Sequence, residues 1–242
     1  MATKIIIPLI CIAAVVAAAA VCALVFYTGR FRMPAGFTVT AHSGCMGLPD
    51  NSVEAMEAGV AAGAQIVEFD LNYTEDGVPV LSHNAPEGRD CPPLTDAFAF
   101  LREHPDIKAN VDVKSVDYLE KIPPLAGQYG VTDQLFFTGV GEDWVPAVRE
   151  KCPGIPYYLN TTVPRAADIE ALADKVEKLG AVGVNINFVH LTRRLTRVFH
   201  ARGLLVSVWT VNVRPQARYV LAAHPDNVTS RKPDMIASLL AE

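Results

Sequence analysis

Eight times along the chain a short apolar, β-branched run is followed by a longer amphipathic one, and no other feature of the sequence restricts the fold as much. The strand-like runs are 37–42, 65–71, 108–114, 134–138, 155–160, 183–188, 204–210 and 227–230. The helix-like runs are 52–62, 95–103, 117–129, 143–151, 166–179, 191–201 and 215–223, and 234–240 closes the chain. Asp50 or Asn51 is expected to cap the first helix. Asp76-Gly77 marks a tight turn that returns through 78–82. Parallel strands joined by crossover helices are the economical explanation of such alternation. Eight units over roughly 200–250 residues predict a (β/α)8 TIM barrel. An open doubly wound sheet is the alternative. However, His42-Ser43-Gly44-Cys45 is not the glycine-rich turn that usually follows the first strand of such a sheet.

Side chains two residues apart on a strand share a face. In 183–188, Val184, Ile186 and Phe188 alternate with Asn185 and Asn187; in 108–114, Val111 and Val113 alternate with Asn110, Asp112 and Lys114. The apolar set is expected to face the helices and the polar set the barrel mouth. Strand ends would bring His42, Asp70, Lys114, Thr138, Asn160, Asn187, Trp209 and Ser230 to the C-terminal rim. Barrel enzymes keep their active sites there.

Three acids stand out on those ends. Glu68 and Asp70 share a face, as do Asp112 and Lys114. Like charges crowded at neighbouring strand ends need a cation to offset their repulsion. Oxygen-only ligands at Glu68, Asp70 and Asp112 favour Mg²⁺ or Ca²⁺ over zinc, and Lys114 suits an anion. Taken singly, each acid reads as an ordinary solvated strand-end residue; the convergence of three is what marks a site. His42 and His83 bracket the Glu-x-Asp pair, and imidazole exchanges protons near neutral pH. An acid–base pair around a hard metal points to chemistry on a phosphate ester. Trp209 reads equally as rim packing or as a contact for a substrate's alcohol group. His104, His190, His200 and His224 read as surface or packing residues.

The first 30 residues stand apart. Residues 5–27 carry no charge, and about 20 apolar residues suffice to span a bilayer. The run exceeds the roughly 7–15 residues of a signal-peptide core, which favours an uncleaved anchor over a cleaved signal. Residues 1–30 are therefore expected to be a membrane anchor or signal segment, and 31–242 one barrel domain. Lys4 before the span, with Arg30 and Arg32 after it, gives too small a bias to set the orientation. A single-pass membrane protein with an extracytoplasmic catalytic domain is the expectation. A net charge of −5 argues against a nucleic-acid partner. Five cysteines without a CxxC pair argue against a zinc site. Cys45 and Cys91 fall just beyond His42 and His83; they are expected to be free thiols, or a disulfide if the compartment is oxidising.

In the order and spacing of its short motifs the chain after the anchor resembles the glycerophosphodiester phosphodiesterase family. The family's opening His-Arg-Gly and Pro-Glu-Asn-Thr are matched by His42-Ser43-Gly44 and Pro49-Asp50-Asn51-Ser52. Its Glu-x-Asp is Glu68-Phe69-Asp70, followed by Thr74-Glu75-Asp76-Gly77-Val78-Pro79-Val80. Its second histidine is His83-Asn84, its Glu-x-Lys is Asp112-Val113-Lys114, and its late motif is Val208-Trp209-Thr210-Val211-Asn212. The resemblance implies a TIM barrel that hydrolyses a glycerophosphodiester to an alcohol and glycerol 3-phosphate with a divalent metal. It implies that His42 and His83 act as acid and base, that Glu68, Asp70 and Asp112 hold the metal, and that Lys114, Ser43 and Trp209 meet the substrate. The substrate's own glycerol hydroxyl would attack phosphorus and give a cyclic phosphate.

The departures are specific. Ser43 stands where the family has arginine, and a hydroxyl cannot give the bidentate, charge-assisted contact of a guanidinium. Asp50 and Asp112 are each one methylene shorter than the family's glutamate, and Asn84 replaces an aspartate. The Asp-x-Lys third strand is also similar to sphingomyelinase D-like phospholipases, which would imply a lysophospholipid substrate. A barrel that binds a phosphate-bearing ligand without turning it over is the third expectation, motivated by Ser43.

Overall fold

The computed structural model describes residues 31–162 and 168–242. Nine strands form one sheet: β1 (Thr38–Ala41), β2 (Ile66–Tyr73), β3 (Pro79–Leu81), β4 (Lys108–Val113), β5 (Leu135–Val140), β6 (Tyr157–Asn160), β7 (Gly183–Asn187), β8 (Leu205–Trp209) and β9 (Asn227–Ser230). All but β3 run parallel to their neighbours. β1 pairs with both β2 and β9, so eight parallel strands close on themselves. The helices that follow are α1 (Val53–Ala61), α2 (Leu94–Glu103), α3 (Ile122–Tyr129), α4 (Val145–Lys151), α5 (Ile169–Leu179), α6 (Arg193–Ala201), α7 (Arg214–Ala222) and α8 (Pro233–Ala241). The expected barrel is the observed one, and the open sheet is excluded by the β1–β2 pairing.

The parity expected from the sequence positions both the core and the site. Val67, Phe69, Val111, Phe137, Val184, Ile186, Val206 and Val228 are buried under the helices. The intervening residues, among them Thr40, Asn110, Thr138, Asn185, Ser207, Asn227 and Thr229, are polar and also buried. Buried polar groups persist only when they are paired. Thr138 Oγ1 donates to Asn110 Oδ1 at 2.7 Å, Ser207 Oγ to Asn227 Oδ1 at 3.0 Å, and Asn227 Nδ2 to Thr40 Oγ1 at 2.8 Å. The barrel interior is thus a hydrogen-bonded polar layer beneath the mouth.

Several boundaries differ from expectation for local reasons. The cap of α1 is Ser52, whose Oγ accepts from Ala55 N at 3.2 Å, not Asp50 or Asn51. α3 starts at Ile122, five residues late, because Pro123 and Pro124 lack an N–H and fit only a first turn. β2 continues to Tyr73 because β3 pairs antiparallel with it beyond Leu71. Asn187 and Ser230 end their strands as expected but do not line the cavity. Asn187 Oδ1 accepts from Val189 N at 3.1 Å, and Ser230 Oγ donates to the Val211 carbonyl. The start expected for the helix 166–179 and the apolar segment 5–27 lie outside the described residues. Among the described residues no helix is long and apolar enough to cross a membrane. Cys45, Cys91 and Cys152 are free thiols; Cys45 is buried against α1, its Sγ donating to Ala55 O at 3.0 Å.

Candidate active site

Register does the assembling. β2 and β4 pair with Asp70 opposite Asp112, and Glu68 lies two residues before Asp70 on the same face. One carboxylate oxygen from each of Glu68, Asp70 and Asp112 falls within 4.8 Å of the others. Lys114, just past the end of β4, reaches back over the cluster. Its Nζ lies 2.5 Å from Asp112 Oδ2 and 2.9 Å from Asp70 Oδ1.

Each acid is held by a different hand. Ser43 N donates to Glu68 Oε2 at 2.7 Å. Asn51 Nδ2 donates to Asp70 Oδ2, and Asn51 Oδ1 accepts from Asp70 N, both at 2.9 Å. Thr138 Oγ1 lies 3.1 Å from Asp112 Oδ1. Gly139 permits the close packing here. A Cβ at that position would stand 2.4 Å from Val113 O and 2.5 Å from Asp112 Oδ1, and its φ is +77°.

The electrostatics mark this cluster as short of positive charge. Burial, followed by the Asp70 and Asp112 carboxylates, pushes the Glu68 carboxyl well above its ordinary value. Burial would also raise Asp70, but Lys114 and the Asn51 hydrogen bond outweigh it and hold Asp70 low. The same two aspartates overcome burial at Lys114 and raise its proton affinity. A single ammonium cannot serve three carboxylates. The all-oxygen donor set and the reluctance of Glu68 to ionise both fit a hard divalent cation.

The two histidines flank the acids in different settings. His42 Nδ1 lies 2.9 Å from the Ser43 carbonyl and 3.8 Å from Glu68 Oε2. A carbonyl only accepts, so Nδ1 carries the hydrogen and Nε2 keeps a lone pair. Burial, helped by the Arg231 charge and opposed by the Ser43 hydrogen bond, lowers the His42 pKa below the ordinary imidazole value. His83 follows β3, and its Nδ1 lies 3.2 Å from Asp70 Oδ1. Its side chain is 68% exposed, against 25% for His42.

These groups line one cavity of about 370 Å³ at the C-terminal end of the barrel. His42, His83, Glu68, Asp70, Asp112, Lys114 and Trp209 all contribute to its wall. Ser43 does not. It is buried on the α1 side, and it serves the site through its backbone N–H and carbonyl. Sequence reasoning gave Asn51 only a helix-capping role, and it missed Trp144, which lines the cavity from the turn before α4. Asn160, Asn185 and Thr229 form part of the floor. Asn185 Oδ1 and Thr229 Oγ1 are buried and have no partner among the described residues.

A model of the glycerophosphoryl diester phosphodiesterase family matches residues 42–102 and 97–235. YhdW of Bacillus subtilis (strain 168), which its full name assigns provisionally to the glycerophosphodiester phosphodiesterases, is 23% identical over 235 residues. The alignment covers 82% of this chain and 96% of that one. A solved structure from Silicibacter pomeroyi DSS-3, assigned provisionally to the same enzymes, superposes with a TM-score of 0.74 at 20% identity, covering 87% of this chain and 95% of that one. An Oleispira antarctica phosphodiesterase, solved in complex with the product sn-glycerol-3-phosphate, superposes with a TM-score of 0.69 at 19% identity. It covers 87% of this chain and 98% of that one.

Proposed function

The chain belongs to the glycerophosphoryl diester phosphodiesterase family, and from that premise we propose that it hydrolyses glycerophosphodiesters to an alcohol and glycerol 3-phosphate, with His42 and His83 as base and acid. The observation that carries this reading is the convergence of both histidines on Glu68 and Asp70 at one barrel mouth.

Glu68, Asp70 and Asp112 would hold the divalent metal, Mg²⁺ or Ca²⁺, and it would supply positive charge against the phosphoryl oxygens. Lys114 would meet another phosphoryl oxygen. His42 Nε2 takes the proton of the attacking glycerol hydroxyl. His83 gives its proton to the departing alcohol oxygen as the bond from phosphorus to that oxygen breaks. Water then opens the cyclic phosphate with the two roles exchanged. Asp70 orients His83, and the Ser43 carbonyl orients His42. Trp209, 37% exposed, gives the alcohol group an apolar surface.

Residues 1–30 are proposed as a single-pass anchor with the catalytic domain on the extracytoplasmic side. β1 begins at Thr38 on the barrel face opposite the mouth. Phe31, Met33 and Phe37 pack against the core there, and the Arg218 guanidinium lies 5.5 Å from the Phe31 ring centre.

The test is turnover by the full chain of glycerophosphocholine, glycerophosphoethanolamine and lysophosphatidylcholine, with Mg²⁺ or Ca²⁺. Metal-dependent release of choline or ethanolamine, abolished in His83→Ala, supports the reading. Turnover of the lysolipid alone moves the substrate to the lipid class, and no turnover of any overturns the activity.

A further inference from the structure

We propose that Arg231 is the guanidinium that grips the substrate's phosphate from the β1–β9 side of the mouth. This rests on the phosphodiesterase reading for its substrate but not for its geometry.

Register places the residue. β1 and β9 pair with Thr38 opposite Asn227, Thr40 opposite Thr229 and Ala41 opposite Ser230. His42 N continues that ladder by donating to Ser230 O at 2.9 Å. His42 and Arg231 follow directly where the ladder ends, and alternation carried one residue further puts both on the side of Thr40 and Thr229, with Arg231 outside the present cavity wall. That face is the cavity face, since His42 and Thr229 both line it. The root of Arg231 is fixed. Its N–H donates to Asn212 Oδ1 and its carbonyl accepts from Met46 N, both at 2.9 Å. Among the described residues, however, its guanidinium is held only by Asp50, with Nη2 2.9 Å from Oδ1 in a pair in which the two side chains are 43% and 55% exposed. That carboxylate packs over the first loop, since a Cβ on Gly44 would stand 1.9 Å from Asp50 Oδ1. The guanidinium thus sits at the loop that carries His42 and can change partners at little cost, because exposed ion pairs contribute little to stability.

Charge balance gives it a role. Glu68, Asp70 and Asp112 carry three negative charges once ionised, and Lys114 with a divalent metal neutralises all three. A phosphodiester adds a negative charge that nothing at β2 or β4 balances. Arg231 supplies that charge from across the mouth, in the planar two-pronged form that matches phosphate oxygens. Ser43 cannot supply it, being buried and directed away from the cavity.

Arg231→Ala, Arg231→Lys and Asp50→Asn would be compared with wild type for turnover and, by calorimetry with metal present, for affinity toward orthophosphate; metal affinity alone and thermal unfolding serve as controls. Arg231→Ala should lower kcat/KM by about 10²-fold and weaken phosphate binding, with metal affinity unchanged. Arg231→Lys should recover part of the loss, and Asp50→Asn should bind phosphate as well as wild type or better. If the wild type binds phosphate without turnover, the activity reading fails while the phosphate arm still decides the role of Arg231. Equal phosphate affinity in wild type and Arg231→Ala would overturn the proposal. So would equal losses in Arg231→Ala and Asp50→Asn, which would make the ion pair structural, or no phosphate binding by wild type.

Discussion

His42 and His83 are the same side chain in opposite situations. His42 is mostly enclosed, oriented by a backbone carbonyl and kept neutral by burial. His83 is mostly exposed and oriented by a carboxylate that also belongs to the acid cluster. A base needs a lone pair at neutral pH, which His42 keeps. An acid needs a proton and somewhere to deliver it, and His83 has a carboxylate behind it and open space in front. On the proposed assignment, burial and hydrogen-bond partner are what would separate the two proton-transfer roles.

The largest expected effect comes from removing the group both halves depend on. Asp70→Asn deprives the metal, Lys114 and His83 of one charge, and kcat/KM should fall at least about 10³-fold. A loss no greater than that of His83→Ala would mean that Asp70 serves only the histidine.

The two histidines are then separable by leaving group. His83→Ala should lose about 10²-fold on diesters with an alkyl alcohol but far less on a glycerophosphodiester of p-nitrophenol, whose anion leaves unprotonated. His42→Ala should lose equally on both. Steady-state rates on the paired substrates give the answer, and the reverse pattern would exchange the roles.

A smaller effect tests how each histidine's neighbourhood is built. Asn51→Ala removes two hydrogen bonds from buried Asp70 and should cost about 1–3 kcal/mol in denaturant unfolding. Ser43→Ala should change stability and kcat/KM little, because the backbone of residue 43 makes the contacts to His42 and Glu68.

The last prediction concerns pH. In chelator the folded protein keeps the Glu68 proton to higher pH than the unfolded chain does. That contribution is fully present below the unfolded carboxyl pKa of about 4.3 and is lost as pH rises through the raised folded value. The Tm of the metal-free protein should therefore fall more steeply with rising pH in wild type than in Glu68→Gln. Added metal should remove the difference in slope. Parallel melting curves would show that Glu68 ionises as freely as an exposed acid.

Much of this was legible before the coordinates. Glu68, Asp70, Asp112 and Lys114 could be read because strand periodicity is two and the sequence shows where the apolar runs end. What periodicity cannot supply is register and backbone direction. Asn51 was expected to cap a helix, but its φ of +59° carries its amide under Asp70. Ser230 was expected to face the mouth, whereas the residue of β9 that lines the cavity is Thr229. Ser43 looked like a weakened substrate contact, and sequence cannot say whether a loop residue works through its side chain or its peptide groups.

The central claim is that two buried carboxylates and a half-buried third make this mouth a divalent-metal site on which hydrolysis depends. It is tested most directly by glycerophosphocholine turnover of the full chain in chelator, followed by titration with Mg²⁺ or Ca²⁺. The expected result is no rate in chelator and saturable recovery, with Glu68→Gln and Asp112→Asn each shifting the titration to higher metal. Full turnover in chelator, or titrations that both substitutions leave unmoved, would contradict it.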